Sequence, residues 1–164
     1  MRADTETRAK LWDMIHGIRF AMLTSRSIEG QLRSRPLTTQ NRSLDDDESL
    51  WFFVSRSSET AADVGCDAAV NLAYADTDND RYVSIAGSAT LVEDPSRNEA
   101  LWSIPAKAWF PGGPTDPNLQ LVGVRIEHAE YWDVKTSKMV QLFKMAKAAA
   151  TGEPPQIGEH GKVN

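Results

Sequence analysis

Residues 81–92, RYVSIAGSATLV, set Val83, Ile85, Ala89 and Leu91 against Ser84, Ser88 and Thr90. A period of two describes a strand with one face on a core and one toward water. Gly87 interrupts the run and marks a bulge or a bend. Five more segments read as strands: IRFAMLTS (18–25), QLRSRPLTTQ (31–40), LWFFVS (50–55), AAVNLAYA (68–75) and LQLVGVRI (119–126). Tyr131-Trp132-Asp133 extends or follows the last, and Glu29-Gly30 forms the turn of a hairpin between the first two. Helices are expected over 4–17 (Leu11, Ile15 and Ile18 at helical spacing, Asp4 or Thr5 as cap), over 57–65 ending at Gly65, from Asp94-Pro95 to about Lys107, and over 137–152 with a Met139, Phe143, Ala146 stripe. Only two helices look like crossovers, which disfavours a doubly wound parallel sheet. Short antiparallel strands of this kind build a barrel or a sandwich, mainly β with flanking helices. One domain over 1–150 is expected. Residues 151–164, EPPQIGEHGKVN with the two before it, show no periodicity and read as a tail.

Composition narrows the function classes. With 164 residues, 41% hydrophobic and 25% charged, the chain matches an ordinary globular domain. Its net charge of −5 argues against a nucleic-acid partner held through phosphates. No apolar run approaches the roughly 20 residues of a membrane helix. The polar start, MRADTETRAK, carries no apolar signal core, and the lone Cys66 has no intrachain partner for a disulfide. A cytoplasmic protein with no membrane partner is expected.

Chemistry-bearing motifs are few. There is no G-x-S-x-G elbow and no Gly-rich phosphate loop. His16, His128 and His160 lack metal-ligand spacing. Asp45-Asp46-Asp47-Glu48 reads as a solvated hairpin turn, since clustered like charges repel. Arg33 and Arg35 stand out because, on a strand, they share one face with Leu37, while Leu32, Ser34 and Pro36 take the other. One reading pairs them with acids on a neighbouring strand at the surface. The other is anion capture, because a guanidinium offers a planar fork of donors. Val54-Ser55-Arg56-Ser57-Ser58 leads into the N-terminus of a helix, which favours anions. Hydroxyls of Ser55, Ser57 and Ser58 add donors there. Of five tryptophans, Trp12, Trp51 and Trp102 lie in apolar patterns and read as core. Trp109 opens the irregular loop WFPGGPTDP, where it could cover a flat ring or an interface.

These pieces, taken in order, resemble the FMN-binding split barrel of the pyridoxamine 5′-phosphate oxidase-like superfamily, and within it the general stress protein 26 branch. The resemblance is carried by Arg33-Ser34-Arg35-Pro36-Leu37, Leu50-Trp51-Phe52-Phe53-Val54-Ser55, Arg81-Tyr82-Val83-Ser84-Ile85-Ala86-Gly87, Leu101-Trp102, Ala108-Trp109-Phe110-Pro111-Gly112-Gly113-Pro114, Glu130-Tyr131-Trp132-Asp133 and Gly158-Glu159-His160-Gly161-Lys162-Val163. It implies a six-stranded antiparallel split β-barrel, a homodimer, and FMN in a cleft between subunits, with FAD or a deazaflavin as alternatives. Arg35 matches the phosphate-binding arginine. Arg33, Pro36, Leu37 and Gln40 would line the flavin, with Phe53, Val54, Ser55, Ser58 and Thr60 from the next strand and helix, and Trp109 and Trp132 as aromatics. An oxidoreductase is implied, and a flavin carrier or sensor is the alternative. No side chain presents itself as a catalytic acid or base. Two departures matter. Glu59 and Thr60 stand where the family places a basic residue for the phosphate, so Glu59 is expected to repel it: either FMN affinity is weakened, or Arg33 or Arg56 substitutes, or the ligand differs. The arginine-histidine signature of true pyridoxamine-phosphate oxidases is replaced after Trp132 by Asp133-Val134-Lys135-Thr136.

Overall fold

A computed structural model describes residues 5–44, 48–134 and 138–163. The acidic run Asp45–Asp47, the Asp4 cap and the side chain of Met139, first member of the expected α4 stripe, lie outside the described residues. Among the described residues, seven strands form one antiparallel sheet: β1 (Ala21–Arg26), β2 (Leu32–Leu37), β3 (Ser49–Ser55), β4 (Ala69–Asp76), β5 (Arg81–Val92), β6 (Leu119–Asp133) and β7 (Glu159–Val163). Four helices among these residues flank it: α1 (Thr5–Ile15), α2 (Glu59–Cys66), α3 (Pro95–Leu101) and α4 (Lys138–Thr151). The strand order β2-β1-β4-β5-β6-β3 curls until its ends meet, where Thr39 bridges Phe52 and the Gln40 amide donates to the Trp51 carbonyl at 2.8 Å. This is a split barrel, as the sequence reading expects.

The alternation in β5 holds as far as Ala89, while Leu91, expected on the same buried face, is 37% exposed. Val83, Ile85 and Ala89 are buried with Leu23, Leu72, Phe52, Val122 and Val124 in one core. The register shift beside Gly87 falls on the partner strand: Ala86 faces His128 and Gly87 faces Ile126, so Glu127 is the extra residue. Gly87 itself is needed for close approach, since a Cβ there would stand 2.5 Å from the Arg125 carbonyl oxygen. The apolar run of β3 is covered on both faces. Leu50, Phe52 and Val54 enter the core, while Trp51 lies under the Arg97 guanidinium at 4.2 Å.

Four expectations need correction. The helix expected to run to Lys107 stops at Leu101 and resumes as a 3₁₀ turn over Ile104–Ala108. Pro105 is the cause: it has no N–H to donate to the Leu101 carbonyl and its ring would clash with that carbonyl in a continuous helix, so the chain leaves the helical region at Trp102 and Ser103 before the 3₁₀ turn begins. Gly65 does not end α2; the helix runs on to Cys66 and is capped by extended Asp67. The Phe143, Ala146 stripe of α4 faces outward, with Phe143 70% exposed. The end of the chain is no mere tail, since Glu159–Val163 form β7 on the edge of β6. That strand is held by polar and ring contacts that leave no apolar period to read. His160 stacks on Trp132 with ring centroids 5.2 Å apart, Lys162 pairs with Glu130, and Tyr131 donates to Glu159 at 2.8 Å. A side chain at Gly161 would collide with the Tyr131 ring.

Candidate functional site

The β1–β2 hairpin places the arginines by its register. On the inner face Ala21 pairs with Leu37, Leu23 with Arg35 and Ser25 with Arg33. The pairs grade from core to polar rim along the hairpin. Arg33 and Arg35 therefore share one face with Leu37, and Pro36 pairs with Met22 on the opposite, exposed face. Helix α2 lies over the polar end. Its N-cap Ser58 accepts a hydrogen bond from the Ala61 amide, and the helix presents Glu59, Thr60 and Asp63 to the arginines.

Four charges interlock there. The buried Asp63 carboxylate, its side chain 4% exposed, accepts from Ser25 Oγ at 2.8 Å and from Arg33 Nη2 at 2.7 Å, with Arg35 Nη1 at 3.6 Å. Glu59, its side chain 68% exposed, reaches both guanidiniums: Arg35 Nη2 at 2.6 Å and Arg33 Nη1 at 3.2 Å. Buried Thr60 accepts from Arg35 Nη1 at 3.4 Å. Burial pushes the Asp63 carboxyl up, but the Ser25 hydroxyl and the Arg33 guanidinium outweigh it and hold the group below the usual carboxylate range. Hydrogen bonding from Arg35, then the charges of Arg33 and Arg35, hold Glu59 low as well. The hydrogen bond to Asp63 in turn raises Arg33. Buried Arg33 Nε has no hydrogen-bond partner among the described residues.

The arginines thus pair with carboxylates, but on a helix rather than on a neighbouring strand. Glu59 does not face an anion from a distance: it sits on the two donors an anion would use. Arg56, the other expected substitute, is engaged by Glu93 at 2.6 Å, Gln120 Oε1 and the carbonyls of Pro117 and Leu119.

The other expected residues divide. Ser55 Oγ contacts Ser57 Oγ at 3.1 Å and donates to Asn118 Oδ1 at 3.0 Å, at the end of β3 next to α2. Val54 has its side chain in the core, so only its backbone could meet a ligand. Phe53 is half-buried, with its ring 5.9 Å from that of Trp102. Gln40 lies at the barrel closure, where its side-chain oxygen accepts from Ser103. Trp109 is 81% exposed while its neighbour Phe110 is buried, so of these two aromatics the tryptophan projects. Trp132 pairs with Tyr82 on the outer face of the sheet, opposite to the face bearing Arg35. One chain therefore does not bring Trp132 and the arginines together. The sequence reading missed Asp63 and Ser25. The i, i+4 spacing of Glu59 and Asp63 was the available signal, since it puts two acids on one helix face.

The donor set fits a phosphate group. Two guanidiniums converge beside the start of a helix, with serine hydroxyls nearby, and one of their two counter-ions is exposed enough to leave. Known proteins point the same way. A sequence model of the family described as "Pyridoxamine 5'-phosphate oxidase like" matches residues 6–156. The chain is 26% identical to protein bli-3 of Neurospora crassa over 159 residues, covering 89% of this chain and 74% of that one. It superposes on a protein assigned as general stress protein 26 from Jannaschia sp. CCS1 with a TM-score of 0.75 and 26% identity, covering 98% of this chain and 99% of the other. The general stress FMN/FAD binding protein of Xanthomonas citri is 30% identical, with a TM-score of 0.66 over 82% of this chain and 93% of its own. With a family match across most of its length and these structural neighbours, the chain belongs to the pyridoxamine 5′-phosphate oxidase-like family and is related to its general stress protein 26 members.

Proposed function

We propose that this chain binds a flavin, FMN foremost, with the phosphate on Arg33 and Arg35 beside the N-terminus of α2. The observation that carries this reading is the convergence of the two arginines on that helix in a member of this family. The FMN/FAD-binding relative supports it. Any redox chemistry would be supplied by the isoalloxazine, and the protein would orient the ring and hold the phosphate. An oxidoreductase of the general stress type, acting in the cytoplasm, is the corresponding activity.

The site is completed by a second copy of the chain. Trp132 lies on the outer face of the barrel, and Trp109 projects from its loop. Leu142, Phe143 and Met145 expose apolar surface on α4, which a homodimer would cover.

A second reading, a non-enzymatic flavin carrier or sensor, is favoured by one observation: the arginines already hold Glu59 and Asp63. Purification and mass spectrometry of the released ligand test the first claim and separate FMN from FAD and from a deazaflavin. A yellow protein bleached by NAD(P)H supports the oxidoreductase. A yellow protein that no nicotinamide reduces supports the carrier. A protein that neither retains nor takes up any of these flavins refutes both.

A further inference from the structure

The two carboxylates that meet the arginines are not equivalent. Asp63 is enclosed, bonded to Ser25 within the barrel wall, and cannot leave without exposing a buried polar pocket. Glu59 is at the first position of α2, mostly exposed, and its two oxygens divide between Arg33 and Arg35. A carboxylate spanning two guanidiniums in this way occupies the donors that an external oxyanion would take.

We propose that Glu59 is a built-in competitor for the phosphate: its carboxylate fills the Arg33–Arg35 fork in the ligand-free chain, and a phosphate monoester binds by displacing it, while Asp63 stays and keeps the fork in place. The inference rests on the flavin-phosphate reading above. It differs from simple repulsion in that Glu59 moves, and in that its reach matters as well as its charge.

The exchange has a chemical consequence. A carboxylate ligand would replace one carboxylate by another, giving one negative charge and two acceptor oxygens for the same. A phosphate monoester brings about −1.5 to −2 charges and three acceptor oxygens. The fork therefore selects phosphomonoesters over carboxylates. Glu59 also keeps the arginines paired when no ligand is bound, which offsets the repulsion of two cations two residues apart on one face of β2.

The cost of exchange appears as a reduced apparent affinity. If the fork is open about one-tenth of the time, the apparent Kd is about tenfold above its intrinsic value. Glu59→Gln removes the competing charge. Glu59→Asp keeps the charge but shortens the arm by one methylene, so that it no longer spans both guanidiniums.

The test is titration of FMN and of riboflavin, which lacks the phosphate, into wild type, Glu59→Gln and Glu59→Asp, with melting temperatures of each ligand-free protein alongside. Displacement gives FMN tightened about tenfold by Glu59→Gln and by a smaller factor by Glu59→Asp, riboflavin unchanged in both, and ligand-free variants that melt lower than wild type. FMN tightened by Glu59→Gln but not by Glu59→Asp overturns displacement in favour of fixed repulsion. FMN unchanged in both, or riboflavin shifted equally, overturns the inference while leaving flavin binding intact. If neither flavin binds any of the three proteins, the flavin reading itself fails, and the inference falls with it.

Discussion

Two arginine sites flank the start of α2, and they are held in opposite ways. Arg56 is gripped by two carbonyls of the 117–119 segment, by Gln120 and by both oxygens of Glu93. Arg33 and Arg35 are held by side chains alone: one buried acid, one exposed acid and the Thr60 hydroxyl. Backbone carbonyls cannot swing away from an arginine as an exposed side chain can, so freeing Arg56 means breaking several fixed bonds at once. An arginine whose counter-ion is an exposed side chain can exchange it. The difference sorts residues of one type, close together around one helix end, into a staple and a candidate binding group. Sequence reading treats Arg56 and Arg33 as interchangeable substitutes for a missing base, and the structure does not.

The largest effect is expected at Asp63. Replacing it by Ala leaves Ser25 and two arginines without their buried partner, at a cost of about 3 kcal/mol, the lower end for orphaning a buried ion pair. Urea unfolding should show a lower midpoint with an unchanged slope. A midpoint equal to wild type would mean that Asp63 does not anchor the fork.

Next in size is the split between Arg35 and Arg56. Arg35→Ala should weaken FMN about ten- to a hundredfold, the loss of one charge-assisted hydrogen bond, and lower the melting temperature only modestly, through the lost Glu59 and Thr60 contacts. Arg56→Ala should do the reverse, lowering the melting temperature more than Arg35→Ala does and leaving the FMN affinity of the folded protein alone. Calorimetric titration paired with thermal melts reads both. The same pattern in the two variants would erase the distinction between staple and binding group.

A smaller effect follows acid. Asp63, Glu59 and, through its hydrogen bond from Arg56, Glu93 are all held below the usual carboxylate range. Lowered folded-state values stabilise the protein above the unfolded carboxylate range of about pH 4, and that contribution is lost as pH falls through the folded values. The stability difference between wild type and Glu59→Gln should therefore be present at neutral pH and shrink in strong acid. A difference that grows on acidification would reverse the sign assigned to Glu59.

Much of the barrel was legible because its strands obey a period of two against a single core. The β5 boundaries agree with the alternation in 81–92, and Gly87 announced the bulge. What escaped was polar or irregular. Strand β7 is a five-residue EHGKV held by stacking and ion pairs, so no hydrophobic signal marks it. The break after Leu101 was written in Pro105 but hidden by the helix-like residues around it. At the site, the shared face of Arg33, Arg35 and Leu37 was readable from strand geometry. The identity of their partners was not, because Asp63 lies thirty positions from Arg33 and only the packing of α2 on the hairpin joins them.

The claim on which the rest depends is that the Arg33–Arg35 fork recognises a phosphate. Its most direct test is the ratio of riboflavin to FMN dissociation constants in wild type and in Arg35→Ala. FMN should bind more tightly than riboflavin in the wild type, and that preference should collapse in Arg35→Ala while riboflavin affinity stays within about twofold, well under the loss of one hydrogen bond. Equal binding of the two flavins by the wild type, or a preference that survives Arg35→Ala, would contradict it.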